Sequence, residues 1–88
     1  MAYFWTVTKD HIADEKYNRV GVSGPGGDYD LEAIKATGEP SRWQAFDDDG
    51  ELYYEGLIWG DFTGWEPLDD FAQPDAGATS IRLNGREL

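Results

Sequence analysis

Residues Arg42 to Gly60 read RWQAFDDDGELYYEGLIWG, and this stretch decides the fold. Two runs rich in aromatic and aliphatic residues flank the acidic sequence that ends at Gly50. Such runs favour β-strands, and Asp-Gly between them is a strong hairpin signal. We therefore predict a long β-hairpin at the centre of a sheet.

The hairpin loop is predicted to be Asp48 to Gly50, with the glycine in the left-handed conformation. A two-residue loop would place Asp48 opposite Glu51, and a like-charge pair at that position costs stability. The three-residue loop predicts two cross-strand pairs, Phe46 with Leu52 and Ala45 with Tyr53. Both faces of the second strand are apolar, so cover is expected on two sides, from a helix on one and from the long C-terminal loop on the other.

Strand and turn patterns continue towards the N-terminus. Tyr3 to Thr8 and Arg19 to Ser23 read as strands of a hairpin, and Lys9 to Asn18 between them reads as a loop or a single helical turn. A short helix is predicted over Tyr29 to Thr37, capped by Asp28 and ended by Gly38.

On the C-terminal side, Gly60 to Ala78 shows no sustained period and is predicted to be a long loop, in which apolar residues recur about every third position. Thr79 to Leu83 reads as the last full strand, and Asn84-Gly85 predicts a turn before a short return or a tail.

Together these elements predict a single α+β domain over residues 1–88. It would be a mostly antiparallel, twisted sheet of about five strands with one short helix on a face, in the order β-β-α-β-β-β. A partly closed small barrel is the alternative.

The charge of the chain is strongly asymmetric. The formal net charge is -11, and the segment from Asp47 to Asp75 contains ten acidic residues and no lysine or arginine. Direct binding to nucleic acid or to an anionic membrane is disfavoured, because phosphate binding needs basic side chains. A basic protein surface or a divalent cation is electrostatically compatible.

Composition also bears on location. The chain has no cysteine, no signal-peptide pattern at the start and no apolar run long enough to cross a bilayer. We therefore expect a cytoplasmic protein with no membrane association.

The acidic hairpin tip resembles a calcium loop only in part. With Gly50 at position 6 of an EF-hand loop, Asp47 and Asp49 fall at ligand positions 3 and 5, but Ala45 and Gly56 fall at positions 1 and 12. Calcium binding through Asp47 and Asp49 is therefore an unfavoured alternative, and turn chemistry is the preferred interpretation.

Signatures of enzymes and cofactors are weak. The sequence SGPGGD lacks the spacing of phosphate-binding glycine loops, and His11 has no nucleophile motif around it. We predict a protein that is not an enzyme and has no cofactor.

Three blocks of the sequence resemble a group of small, acidic, uncharacterised bacterial proteins. They are WTVTKDHI near the start, FDDDGELYYEG in the hairpin and PLDDFAQPDAGATSI near the end. The resemblance implies no activity, ligand or site residue.

The charge pattern leads to a prediction of function. We expect a small protein-binding module whose acidic face docks on a basic partner surface, with nearby aromatic residues supplying contact area. The alternatives are a calcium- or small-ligand-binding domain and an acidic mimic of nucleic acid that inhibits a nucleic-acid-binding enzyme. The candidate partner-binding residues are Asp61, Glu66, Asp69, Asp70, Trp65, Phe71 and Tyr54.

Overall fold

The computed structural model of the chain describes residues 2–26 and 30–88. In chain order, the elements of this part are β1 (Tyr3–Asp10), β2 (Ser23–Gly24), α1 (Leu31–Lys35), β3 (Ser41–Phe46), β4 (Leu52–Gly60), a π-helical turn (Leu68–Ala72) that continues into α2 (Gln73–Ala76), β5 (Ser80–Leu83) and β6 (Arg86–Glu87). The six described strands form one antiparallel sheet in the order β2-β1-β4-β3-β5-β6. The predicted small α+β class is confirmed, and the sheet is not closed into a barrel.

The central hairpin consists of β3 and β4. The N–H of Asp47 donates to the carbonyl of Glu51 at 2.9 Å and so encloses the three loop residues Asp48 to Gly50. Gly50 has a φ of 84°, in the left-handed region where glycine is favoured. The predicted loop length and glycine conformation are confirmed.

The strand register differs from the prediction at one residue. Phe46 pairs with Leu52 as predicted, but Ala45 pairs with Tyr54 rather than with Tyr53. Tyr53 is the extra residue of a β-bulge, a feature that bends a strand and redirects its side chains. Successive residues of a regular strand point to opposite faces, yet Tyr53 and Tyr54 both line the same cleft.

The N-terminal hairpin is less regular than predicted. Its second strand contains only Ser23 and Gly24, instead of Arg19 to Ser23. The residues before it reach β1 through isolated bonds from Gly21 N to Val7 O and from Val7 N to Val22 O, both 2.9 Å long. β1 is correspondingly longer than predicted and ends at Asp10.

The short helix α1 begins later than predicted. The residue that precedes it, Asp30, accepts a hydrogen bond from the N–H of Ala33 at 3.1 Å and is the N-cap. The predicted cap, Asp28, lies outside the described residues. α1 covers one face of the sheet, where Ile34 is buried and the Lys35 ammonium lies 4.9 Å from the centre of the Trp59 ring.

The segment from Gly60 to Ala78 is not the irregular loop that was predicted. It contains the π-helical turn and α2, and we call these two elements together the Leu68–Ala76 helix. The N–H of Gln73 donates to the carbonyl of Leu68, five residues earlier, and this is the wider spacing of a π-helix. A π-helical turn contains more residues than the 3.6 of an α-helical turn. The apolar residues of this segment therefore do not recur with the α-helical period.

The main core lies between the sheet and the Leu68–Ala76 helix. Leu68, Phe71 and Ala72 of the helix are buried against sheet residues that include Trp5 and Trp43. The Trp5 and Trp43 rings meet edge to face, with centroids 6.3 Å apart. β4 is thus covered by helices on both faces. Among the described residues, no helix has the length and apolar character needed to cross a membrane.

Candidate functional site

The acidic residues that are continuous in sequence are divided in space. β4 places the hairpin tip and Asp61 at opposite ends of the sheet, on the order of 30 Å apart for nine strand residues. We call the end where Tyr3 pairs with Gly60 the Tyr3 end, and the end where Asp10 pairs with Tyr54 the Tyr54 end. The predicted acidic contact residues Asp61, Glu66, Asp69 and Asp70 lie at the Tyr3 end.

Two of the four acids at the Tyr3 end are held by the fold. Oδ2 of Asp70 accepts hydrogen bonds from the Tyr3 hydroxyl at 2.7 Å and from Trp5 Nε1 at 3.1 Å, and so ties the helix to β1. Burial raises the pKa of Tyr3 to about 12, together with the hydrogen bond and the charge of Asp70.

Glu66 is the second of these acids, and its carboxylate holds the turn that precedes the helix. Its carboxylate accepts hydrogen bonds from the N–H groups of Thr63 and Gly64, each at 2.8 Å. Thr-x-x-Glu is the sequence of a capping box. Partial burial works to raise the pKa of Glu66, but the hydrogen bonds from backbone N–H groups outweigh burial and lower it.

The remaining residues predicted for the partner surface divide into exposed and buried groups. Asp61 and Asp69 are exposed, and the Trp65 side chain is 41% exposed. Tyr54 and Phe71 are only 2% and 7% exposed and belong to the core. The rings of Tyr54 and Phe71 therefore offer no contact area to a partner.

The hairpin tip brings three carboxylates together. Oxygen atoms of Asp47, Asp48 and Asp49 lie within 4.8 Å of one another. Oδ1 of Asp47 accepts hydrogen bonds from the N–H groups of Asp49 and Glu51, each at 2.8 Å, so it is committed to the turn. Calcium normally takes six to eight oxygen ligands, and with Oδ1 of Asp47 committed the three carboxylates offer fewer than that on their own.

A cleft of about 310 Å³ opens at the Tyr54 end. It lies between the β1–β2 loop, the bulged start of β4 and the end of the Leu68–Ala76 helix. It is lined by Asp10, Ile12, Asp14, Tyr17, Arg19, Tyr53, Tyr54, Asp75 and Ala76. We call it the tyrosine cleft.

Two aspartates shape the loop wall of the cleft. Asp10 accepts hydrogen bonds from the N–H groups of Ile12 at 3.0 Å and Arg19 at 2.9 Å. Oδ1 of Asp14 accepts from the N–H groups of Lys16 and Tyr17, each at 2.8 Å. These N–H groups lower the pKa of Asp14. Aspartate is suited to this role because its short side chain reaches backbone N–H groups a few residues further on.

The floor of the cleft is a hydrogen-bonded network around Asp75. Oδ2 of Asp75 accepts from the Tyr54 hydroxyl at 2.9 Å and pairs with Nε of Arg19 at 3.2 Å. The Arg19 guanidinium also lies 4.9 Å from the centre of the Tyr17 ring. Burial, followed by the hydrogen bond and charge of Asp75, raises the pKa of Tyr54 above its ordinary range.

Tyr53 connects the cleft to the hairpin tip. Desolvation raises the pKa of this tyrosine, and the nearby carboxylates of Asp47, Glu51 and Asp48 raise it further. The rings of Tyr53 and Tyr54 are 6.4 Å apart and meet at a steep angle. The acidic tip and the acidic rim of the cleft therefore belong to one surface.

His11 lies outside the tyrosine cleft. Its Nε2 is 2.7 Å from Oε2 of Glu55, whose other oxygen accepts from the Gln44 amide at 2.9 Å. The hydrogen bonds from His11 and Gln44 lower the pKa of Glu55. This pair joins the residue that follows β1 to β4, and within the described residues the His11 ring has no hydrogen bond to a serine or threonine hydroxyl.

Comparison of the chain with protein-family models, with curated proteins and with solved structures found no match. Function is therefore inferred from the residues and geometry of this chain.

Sequence reasoning missed most of the tyrosine cleft. Its residues come from separate segments, and only Tyr54 was among the predicted contact residues. One local signal was present: Asp10 and Asp14 each precede residues with which aspartate forms side-chain turns, so they indicated a structured loop. Nothing in the sequence indicated that Asp75 would pair with Arg19, which is 56 positions away.

Proposed function

We propose that this protein is a non-enzymatic, cytoplasmic protein-binding module that docks its acidic surface on a basic surface of a partner. One observation supports the proposal above the others: the acids are not neutralised within the fold. The described part of the chain contains one ion pair of permanently charged side chains, Arg19 with Asp75, and a contact of His11 with Glu55 that is an ion pair only with a protonated imidazole. No charged residue of this part is buried. Most of the 18 acidic side chains therefore have no basic side chain that neutralises their charge in the described part of the fold.

Uncompensated surface charge has a defined physical effect. It attracts and orients an oppositely charged partner over about a Debye length, close to 8 Å at physiological salt. It contributes less to affinity, which comes from desolvated contacts. The exposed side chains of Ile12, Tyr17, Val20 and Trp65 offer such contacts beside the acids.

The proposal is tested by affinity capture with the whole chain as bait, at low and at high salt. A control bait carries Asp48→Asn, Asp49→Asn, Asp61→Asn and Asp69→Asn, which remove four exposed charges. We expect the wild-type bait to capture a basic protein at low salt and to release it at high salt. The control bait should capture the same protein poorly. Capture that is insensitive to salt and to the four substitutions would contradict the proposal.

Calcium binding at the hairpin tip is a second candidate, favoured by the proximity of the Asp47, Asp48 and Asp49 carboxylates. Titration with calcium, followed through the backbone NMR signals of Asp49 and Gly50, separates the two functions. A saturable shift below millimolar calcium supports this site. Signals that do not move at millimolar calcium remove it.

A further inference from the structure

We infer that the basic partner inserts an arginine side chain into the tyrosine cleft. This inference rests on the proposed function and identifies the part of the surface that recognises the partner. It places recognition at the Tyr54 end, whereas the sequence placed it around Asp61 to Asp70 at the Tyr3 end.

The first argument is shape. The cleft of about 310 Å³ is at the lower end of the range for ligand sites, roughly 300–1,000 Å³, so it suits one side chain rather than a large ligand. Its loop wall carries two exposed apolar side chains, Ile12 at 44% and Tyr17 at 58% exposure. An arginine side chain has an apolar stem that can pack on such residues while its charged head reaches deeper.

The second argument is that the guanidinium of Arg19 already lies against the walls of the tyrosine cleft. Arg19 is 4.9 Å from the Tyr17 ring centre, and its Nε and Nη2 atoms lie 3.2 to 3.4 Å from the Asp75 carboxylate oxygens. Arg19 is an intramolecular example of a guanidinium that contacts a tyrosine ring and pairs with a carboxylate, and the planar guanidinium fork suits this combination better than an ammonium does. The cleft remains open with Arg19 in place.

The third argument is charge. The cleft lining has three carboxylates, from Asp10, Asp14 and Asp75, against the single guanidinium of Arg19. Oδ2 of Asp14 has no hydrogen-bond donor within the described residues, so it can accept from a partner. The hairpin-tip carboxylates beside Tyr53 extend the same negative field.

The Tyr3 end fits a basic side chain less well. Both carboxylate oxygens of Glu66 already accept hydrogen bonds, from the N–H groups of Thr63 and Gly64, and Oδ2 of Asp70 accepts from Tyr3 and Trp5. The groove near that end is lined by Ala2, Ala33, Ile34, Thr37 and Gly60, with Asp61 as its one acid.

The test is an NMR titration of the isotope-labelled full chain with a short peptide of alternating arginine and glycine. A matched peptide with citrulline in place of arginine keeps the shape and removes the charge. We expect the amides of Ile12, Tyr17 and Ala76 to shift saturably with the arginine peptide and to remain unshifted with the citrulline peptide.

Paired variants locate the site. Asp14→Asn keeps the oxygen that accepts from the backbone and removes the charge, and we expect binding about two- to five-fold weaker. Tyr17→Ala removes the exposed ring and is expected to weaken binding by a similar factor. The control is Glu39→Gln, an exposed acid outside the cleft lining and outside both acidic ends, which should leave the affinity within about two-fold. Asp69→Asn at the Tyr3 end reports whether the peptide binds there instead.

A third variant is expected to strengthen binding. Arg19→Gln frees the Asp75 carboxylate and removes the only cation of the lining, so the arginine peptide should bind about two- to five-fold tighter. The fold should tolerate the change, because the side chains of the Arg19–Asp75 pair are 30% and 28% exposed and the Arg19 N–H keeps its bond to Asp10.

Three outcomes would overturn the inference. They are equal binding of the citrulline peptide, failure of the arginine peptide to shift cleft amides at millimolar concentration, and loss of affinity in Asp69→Asn but not in Asp14→Asn. The last outcome leaves the proposed function standing, because the partner would then bind at the Tyr3 end. The proposed function fails separately, when capture of a partner shows no dependence on salt.

Discussion

At the scale of single residues, Gly56 shows how tightly the sheet and its core are packed. A Cβ atom added to Gly56 would collide with the carbonyl oxygen of Thr6 on the neighbouring strand and would lie 2.5 Å from the Trp43 ring. Trp43 is fully buried, so neither neighbour can move at low cost. The glycine therefore leaves room for the Trp43 indole next to the backbone of β4.

We therefore predict that Gly56→Ala destabilises the protein by about 3 kcal/mol or more, because overpacking of a rigid core typically costs 1–3 kcal/mol and here meets backbone as well. Denaturant unfolding measures the change. Gly26→Ala is the matched control, since its added methyl group has no atom within 4 Å and should change stability by less than about 0.5 kcal/mol. Equal effects of the two substitutions would contradict this account.

A second residue, Tyr3, predicts how stability responds to alkaline pH. Its pKa is raised from 10.0 to about 12, chiefly by burial and by the Asp70 hydrogen bond. The folded state therefore favours the neutral phenol, and this contribution is complete below pH 10 and is lost as the pH rises towards 12.

Stability measured from pH 8 to 12 should fall across that window, and it should fall less steeply in Tyr3→Phe, which has no phenol proton to lose. Part of the pH dependence of stability should remain in the variant, because the pKa values of Tyr53 and Tyr54 are also raised. The prediction is wrong if Tyr3→Phe loses stability with pH as steeply as wild type.

At the scale of elements, the Leu68–Ala76 helix is preceded by a turn that the Glu66 carboxylate holds. The N–H groups of Thr63 and Gly64 would lack acceptors without the Glu66 carboxylate. We predict that Glu66→Gln lowers the free energy of unfolding by about 1 kcal/mol at neutral pH, the typical net contribution of a hydrogen bond. Asp61→Asn, whose side chain makes no bond within the described residues, should change it by less than about 0.5 kcal/mol.

The pH dependence gives this prediction a second readout. The folded-state pKa of Glu66 is below its ordinary value of 4.5, so its contribution is present above about pH 4.5 and is lost as the pH falls through the folded pKa. Wild type and Glu66→Gln should therefore converge in stability in acid. A difference that stays constant down to pH 2 would show that the carboxylate charge is not the cause.

The elements also show what the sequence could disclose. The β3–β4 hairpin was predictable because Asp-Gly and the alternating apolar residues are local signals that the tertiary structure reinforces. The Leu68–Ala76 helix was not, because its π-helical turn breaks the 3.6-residue period and its inward residues Leu68 and Phe71 therefore resembled anchors of a loop. The β-bulge at Tyr53 could not be predicted for a similar reason. Both faces of this strand are apolar, so an extra residue does not change the hydrophobic pattern of the sequence.

At the scale of the whole molecule, fold and site differ in how far they could be predicted. The pairs β3 with β4 and β5 with β6 join neighbouring segments through short turns, which local signals indicate. The pairs β1 with β4 and β3 with β5 join segments that are distant in the sequence. The tyrosine cleft joins Asp10, Tyr17 and Arg19 to Tyr54 and Asp75, and long-range packing creates that arrangement. The sequence indicated an acidic protein, but it could not indicate that the acids lie at two ends of one sheet.

That division of charge leads to a last prediction, on salt. Unit charges 30 Å apart repel by about 0.14 kcal/mol in water, and the pairs between the two acidic ends together amount to on the order of 1 kcal/mol. The Debye length falls from about 30 Å at 0.01 M salt to about 8 Å at 0.15 M, so physiological salt removes most of this repulsion. The free energy of unfolding should therefore rise by on the order of 1 kcal/mol between these salt concentrations.

In a double variant with Asp48→Asn and Asp69→Asn, one charge is removed at each end and the rise should be smaller. If stability instead falls with sodium chloride, attraction within the Arg19–Asp75 and His11–Glu55 pairs outweighs repulsion between the ends, and the acidic surface is not the uncompensated one that partner binding requires.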